Sequence, residues 1–129
     1  MSPETLAVVD RIYKTFETRD FATFFSLISP QISVTQCPDL PWGGVYQGVE
    51  AAKAFFGKLD SYLDNRVVVE RIIGCSDRVA VIGRTLGTAR NTGRAFDVSL
   101  MHLWEFQDGL AARLEIVLDG PTMLAALAL

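Results

Sequence analysis

Apolar residues recur along this chain with two periods, and the switches between them mark out its elements. Leu6, Val9, Ile12, Tyr13 and Phe16 fall at three- and four-residue spacing, which predicts a helix with one apolar stripe. Ser2-Pro3-Glu4 supplies its start: a capping hydroxyl, a proline preset for the first turn and an acid at the positive end of the dipole. Asp20 can cap a second, shorter helix carrying Phe21, Phe24, Phe25, Leu27 and Ile28, which Pro30 stops. Ile32 to Cys37 reads as a short strand rich in β-branched residues. Pro38, Pro41, Gly43, Gly44 and Gly48 make the next stretch a loop, and that loop holds Trp42 and Tyr46. Val49 to Leu63 returns to helical spacing, with Ala52, Phe55, Phe56 and Leu59 on one side.

From there the period becomes two. Val67 to Ile73 reads as one strand, and Arg78 to Arg90, Arg94 to Gln107 and Leu110 to Asp119 as three longer ones. Asn91-Thr92-Gly93 and Asp108-Gly109 supply the turns between them. Pro121 to Leu127 adds a last helical turn or two. Helices gathered on one face of a mostly antiparallel sheet define the α+β class, and no linker, repeat or low-complexity segment divides residues 1–129, which read as one domain. The long strands are apolar but interrupted by His102, Glu115 and Asp119. Buried polar groups must be paired or put to use, so this pattern suggests a sheet wrapped around a pocket.

Composition narrows the partners. With 129 residues, half of them apolar, the chain can bury a real core. A net charge of -3 offers no basic stripe for nucleic acid. No apolar run approaches the roughly 20 residues that a membrane span needs, and Glu4 and Asp10 do not fit a secretion signal. Cys37 and Cys75 lie far apart without metal-site spacing, which predicts reduced thiols in a cytoplasmic protein and no disulfide. The mean hydropathy of +0.26 is high for a small soluble chain, and the excess apolar surface predicts a homodimer. There is no glycine-rich phosphate loop and no Gly-x-Ser-x-Gly elbow, so neither a nucleotide cofactor nor a serine nucleophile is implied.

Three segments carry a family resemblance. They are Leu40-Pro41-Trp42-Gly43-Gly44-Val45-Tyr46-Gln47-Gly48 leading into the helix with Phe55-Phe56, Gly93 to Val98 leading into His102-Leu103-Trp104, and Asp108-Gly109 followed by Asp119 and Leu124-Ala125-Ala126-Leu127. Together they span nearly the whole chain, which resembles the SnoaL-like branch of the nuclear transport factor 2-like superfamily. The resemblance implies a cone: a strongly curved, mostly antiparallel sheet closed by three helices of the N-terminal half, with a short C-terminal helix. It also implies a pocket at one end. The superfamily includes ketosteroid isomerase, limonene epoxide hydrolase, polyketide cyclases, dehydratases and non-catalytic binders, so fold does not settle function. The tyrosine and paired acids of the isomerase have no clear match here.

The chemistry then turns on one hairpin. A two-residue turn at Asp108-Gly109 sets Gln107 opposite Leu110 and, further back, His102 opposite Glu115. His102, Trp104, Arg113, Glu115 and Asp119 would share one face, and Met101, Leu103, Leu114, Ile116 and Leu118 the other. A three-residue turn would slip the pairing and put His102 beside Leu114. His102, the single histidine, is a candidate acid or base, or else a structural histidine tied into the sheet. Glu115 either orients it or makes an ordinary cross-strand pair with Arg113 or Arg84. Asp119 matches the acid/base aspartate that the resemblance implies, yet it is equally placed to cap the last helix. Trp42 and Tyr46 are candidate ligand contacts or pins for their loop. Trp104 and Phe56 are ligand contacts or plain core, and Gln36 could offer a ligand a hydrogen bond.

Two functions fit. One is a cofactor-independent isomerase, cyclase, dehydratase or hydrolase acting on a small apolar substrate. The other is a non-catalytic hydrophobic-ligand-binding or dimerising domain. They are separated by whether His102, Glu115 and Asp119 converge on one dry pocket.

Overall fold

Among the described residues, four helices and six strands follow one another as α1 (Pro3–Thr18), α2 (Phe21–Ser26), β1 (Ile28–Gln36), β2 (Gly44–Gln47), α3 (Val49–Tyr62), β3 (Leu63–Cys75), β4 (Arg78–Ala89), β5 (Ala95–Gln107), β6 (Leu110–Leu118) and α4 (Gly120–Leu127). This computed structural model describes residues 2–129. The strands form one curved sheet in the order β2-β1-β6-β5-β4-β3, antiparallel throughout except for the parallel pair β1 and β6. The α+β expectation stands.

Local chemistry explains the helix starts. The Ser2 hydroxyl accepts from the Thr5 amide at 3.1 Å, and the Asp20 carboxylate accepts from the Thr23 amide at 3.2 Å. Val9, Ile12, Phe24, Ala52, Phe55, Met123 and Leu127 are the helix side chains driven furthest into the core. On β5 every second residue from Phe96 to Phe106 is buried, so one face of the sheet is packed under the helices and the other is left open.

Several boundaries differ from expectation. The second helix ends at Ser26, and β1 already begins at Ile28 and runs through Pro30. Pro30 is tolerated because pairing with β6 is irregular between Ile28 and Ser33, so no ladder bond is demanded of it. The expected loop contains a four-residue strand, β2, which adds to the sheet edge at β1. β3 starts at Leu63, directly after α3, four residues before the expected Val67. Those residues include Asp64, Asn65 and Arg66, whose polarity suits an edge strand and hides it from an apolar pattern.

Curvature has an identifiable source. The β3–β4 register shifts between Val69 and Arg71, and Gly83 and Gly87 of β4 sit where any Cβ would strike the backbone oxygens of Val68 and Asp64. Missing side chains let the two strands close tightly at that bend.

The hairpin holds the main correction. Asp108 and Gly109 both take positive φ, 52° and 77°, and Gln107 does pair with Leu110. Beyond the turn, however, Phe106 pairs with Ala111 and Glu105 with Arg113, so Ala112 is an extra residue on β6. The bulge shifts the ladder by one. His102 faces Ile116, and Leu103 faces Glu115. Leu114 and Ile116 therefore share the inner face with His102 and Trp104, while Arg113 and Glu115 turn outward with Met101 and Leu103. The reason is energetic: the unbulged register would place two charged side chains in the core in exchange for exposing Leu114 and Ile116.

Candidate functional site

A cavity of about 90 Å³ opens between the helices and the inner face of the sheet. Its walls are apolar: Phe16, Phe55, Phe56 and Leu59 on the helices, and Leu100, Leu114 and Ile116 on the strands. Phe56 belongs to a packed aromatic cluster, with ring centroids 5.0 Å from Phe55 and 5.1 Å from Phe24. Charges stand at its rim. Arg19, left-handed at the end of α1, reaches Asp60 of α3 at 3.3 Å and Asp64 of β3 at 3.0 Å, and Arg90 also approaches Asp60 at 3.5 Å.

The polar groups inside are few and directional. His102 lines the cavity and is 5% exposed. Its Nδ1 lies 2.7 Å from the Tyr13 hydroxyl, which in turn receives the Trp104 indole N–H at 2.9 Å. An indole N–H can only donate, so the phenol accepts from Trp104 and its own proton is free for Nδ1. With the phenol proton assigned to Nδ1, the histidine carries its own proton on Nε2. Burial pushes the His102 pKa down from 6.5 to about 4 and raises the Tyr13 phenol well above its ordinary range. Both are therefore neutral near pH 7, the histidine a donor and not a cation.

Gln36 and Trp42 add two more donors. The Gln36 side-chain oxygen accepts the Cys37 backbone N–H at 2.9 Å, which turns its amide nitrogen elsewhere. That Nε2 and the Trp42 Nε1 are both buried without a protein partner, and both residues line the cavity. Deeper along the wall, Asn65 donates to the Thr85 hydroxyl at 2.9 Å.

Of the residues singled out from sequence, His102, Gln36, Trp42 and Phe56 meet at the cavity. Trp104 is fully buried outside the cavity lining and is joined to His102 through the Tyr13 hydroxyl. Tyr46 is held outside, donating to the Trp42 and Gly43 carbonyls at 3.1 and 3.3 Å, so it pins its loop. Glu115 is on the outer face, and Arg84, one of its expected partners, pairs with Glu70 and Asp97 instead. Asp119 caps α4, accepting from the Thr122 amide at 3.3 Å and its hydroxyl at 2.7 Å. His102 lines the cavity while Glu115 and Asp119 do not, so the three do not converge there. Sequence reasoning missed Tyr13, because a tyrosine on an amphipathic stripe carries no sign that its hydroxyl will meet a strand 89 residues away. Among the described residues no group of three or more His, Cys, Asp or Glu side chains is gathered to hold a metal ion.

Comparison with known proteins agrees with this architecture. A family model for the SnoaL-like domain matches residues 9–114. The fold is similar to a nuclear transport factor 2-like protein of unknown function from Burkholderia pseudomallei, at 25% identity and a TM-score of 0.92, covering 100% of both chains. It is also similar to TerC, solved with polyporic acid, at 22% identity and a TM-score of 0.88, covering 98% of this chain and 99% of that one. A candidate SnoaL-like polyketide cyclase from Jannaschia is similar at 20% identity and a TM-score of 0.87, covering 99% of this chain and 96% of that one. No curated protein matches the chain.

Proposed function

This chain belongs to the SnoaL-like domain family, and on that premise we propose that its cavity binds a small, largely apolar molecule through a carbonyl oxygen held by His102. The observation that carries the reading is the hydrogen-bond chain from Trp104 through Tyr13 to Nδ1 of His102, a residue that lines an apolar cavity. A hydrogen bond made in such a dry site is stronger than one made in water. The walls supply the affinity for the hydrocarbon part of the ligand.

Binding is favoured over carboxylate catalysis because Glu115 and Asp119 stand away from the cavity. One observation supports a catalytic second reading, as a cofactor-independent isomerase or cyclase. A neutral imidazole can polarise a carbonyl without giving up its proton, and the depressed pKa keeps His102 neutral. In that reading the α-carbon proton leaves to water, its electron pair forms the enolate double bond, and the oxyanion rests on Nε2–H.

Titration with cyclohexanone and 1-tetralone, followed by tryptophan fluorescence, tests the reading. His102→Leu is expected to weaken binding at least about fivefold, from the loss of one buried hydrogen bond. Unchanged affinity would overturn it. Deuterium uptake at the α-carbon of the bound ketone, absent in His102→Leu, would establish the catalytic version.

The outer face of the sheet supports a homodimer. Met101, Leu103, Ala80, Ile82, Ile73 and Val117 lie side by side there by register, and Val117 is 51% exposed. The unpaired thiols of Cys37 and Cys75 fit a reducing cytoplasm.

A further inference from the structure

One polar pair in the cavity wall is not used by the reading above. Asn65 of β3 and Thr85 of β4 both line the cavity, Asn65 half-buried and Thr85 3% exposed. Register explains how they meet. Asn65 lies opposite Gly87 and Val67 opposite Thr85, so no side chain stands directly across from Asn65. The asparagine leans diagonally over β4, and its Nδ2 donates to the Thr85 hydroxyl at 2.9 Å. Its backbone carbonyl accepts from the Arg19 guanidinium at 3.1 Å, which holds the main chain there as well.

That arrangement leaves the Asn65 side-chain oxygen over. Among the described residues no donor reaches it, and the buried side-chain atoms without a partner are Gln36 Nε2, Trp42 Nε1 and Arg84 Nε, not Asn65 Oδ1. An amide oxygen that is neither paired nor sealed off stays open to the space its residue lines.

We propose that Asn65 Oδ1, steadied by Thr85, accepts a hydrogen bond from a hydroxyl of the ligand, so that the molecule bound is an apolar ketone with a hydroxyl at the end remote from His102. The inference rests on the carbonyl reading of His102 and extends it to a ligand class, hydroxylated ketones. Spacing along the sheet sets the two contacts apart. Thr85 pairs with Val98 and Val81 with His102, four residues further along β5, which is up to about 13 Å of strand.

The direction of the selectivity follows from the atom that is free. A carboxamide oxygen can only accept, so a hydroxyl proton satisfies it. An ether or a second carbonyl at the same place would set acceptor against acceptor. A plain hydrocarbon edge would displace the water that otherwise meets the oxygen and give nothing back. Asn65 thus acts as a specificity residue and Thr85 as a positioning residue.

Calorimetry on matched ketones tests this: 6-hydroxy-1-tetralone against 6-methoxy-1-tetralone and 1-tetralone, and 4-(4-hydroxyphenyl)-2-butanone against 4-phenyl-2-butanone for a longer reach. At least one hydroxyketone is expected to bind about fivefold or more tightly than its parent ketone, with the methoxy compound no tighter than the parent. In Asn65→Leu that ratio is expected to fall towards one while affinity for the parent ketone is kept. Thr85→Val keeps the shape of its side chain and should lower the same ratio, which preserves the test if Asn65→Leu does not fold. Asn65→Asp retains an accepting oxygen that the Thr85 hydroxyl can meet, and should retain the preference. Equal binding of hydroxyketone and parent by the wild type, a methoxy compound as tight as the hydroxyl one, or a preference that survives Asn65→Leu would each overturn the subsite. Parent-ketone binding sensitive to His102→Leu would in those cases leave the first reading intact. A hydroxyl preference that is lost in Asn65→Leu but untouched by His102→Leu would keep this subsite and remove the histidine's role. No binding by any of these compounds overturns both.

Discussion

The Tyr13 hydroxyl sits 2.7 Å from His102 Nδ1 and 2.9 Å from Trp104 Nε1, so one phenol on α1 joins two residues of β5 and closes the helix onto the sheet. Structure and chemistry meet in that contact: it gives His102 Nδ1 a partner, and it ties α1 to β5.

Removing only that oxygen tests both roles. Tyr13→Phe leaves the Trp104 N–H and His102 Nδ1 buried without their partner, and an expected loss of about 1–3 kcal/mol follows. Urea unfolding measures it. Nitrogen NMR of His102 should at the same time show the tautomer no longer held to Nε2–H, and a single unchanged tautomer would contradict the relay.

Acid should destabilise the protein through the same histidine. Folded His102 titrates near pH 4 and its unfolded counterpart near 6.5, so between those values the unfolded chain binds the extra proton. Stability from this group is complete above about pH 6.5 and is lost as pH falls through about 4, a difference of about 3 kcal/mol. Denaturant midpoints at about pH 7.5 and about pH 4.5 should fall further in the wild type than in His102→Phe. Equal falls would show that His102 is not held neutral by burial.

Asp119 is expected to matter for stability and not for binding. Asp119→Ala removes the α4 cap and should cost about 1 kcal/mol, largely restored in Asp119→Asn. Glu115→Ala, on the outer face, should stay within about 0.5 kcal/mol of the wild type. Thermal melts check both. Ketone affinity should be unchanged in each, and a large loss in either would return that carboxylate to the site.

Self-association can be read directly. Sedimentation at increasing dilution should show a species near twice the 14.2 kDa chain mass, and Val117→Asp should convert it to monomer without unfolding it. A wild-type monomer at all concentrations would remove the dimer.

What could be read from sequence follows from what is local. Ser2, Asp20 and the Asp108-Gly109 turn act within three or four residues of themselves, so their caps and turn were legible, as were the alternating strand β5 and the class of the fold. His102, Gln36, Trp42 and Phe56 could be named as candidates from residue type and family resemblance. Their meeting at one cavity depends on strands that are neighbours only in space. β1 and β6 pair in parallel across most of the chain, and no local pattern announces that. The bulge at Ala112 was the decisive case. Nothing about alanine signals it, and it arises because the sheet must keep Leu114 and Ile116 inside and Arg113 and Glu115 outside. Sequence by itself determined most of the elements, the class and a short roll of polar candidates, because propensity, capping and turn chemistry act over a few residues. Tertiary structure alone decided which candidates face the cavity, because burial is settled between segments: it moved Glu115 out, gave Asp119 to a helix end and set Tyr13 against His102.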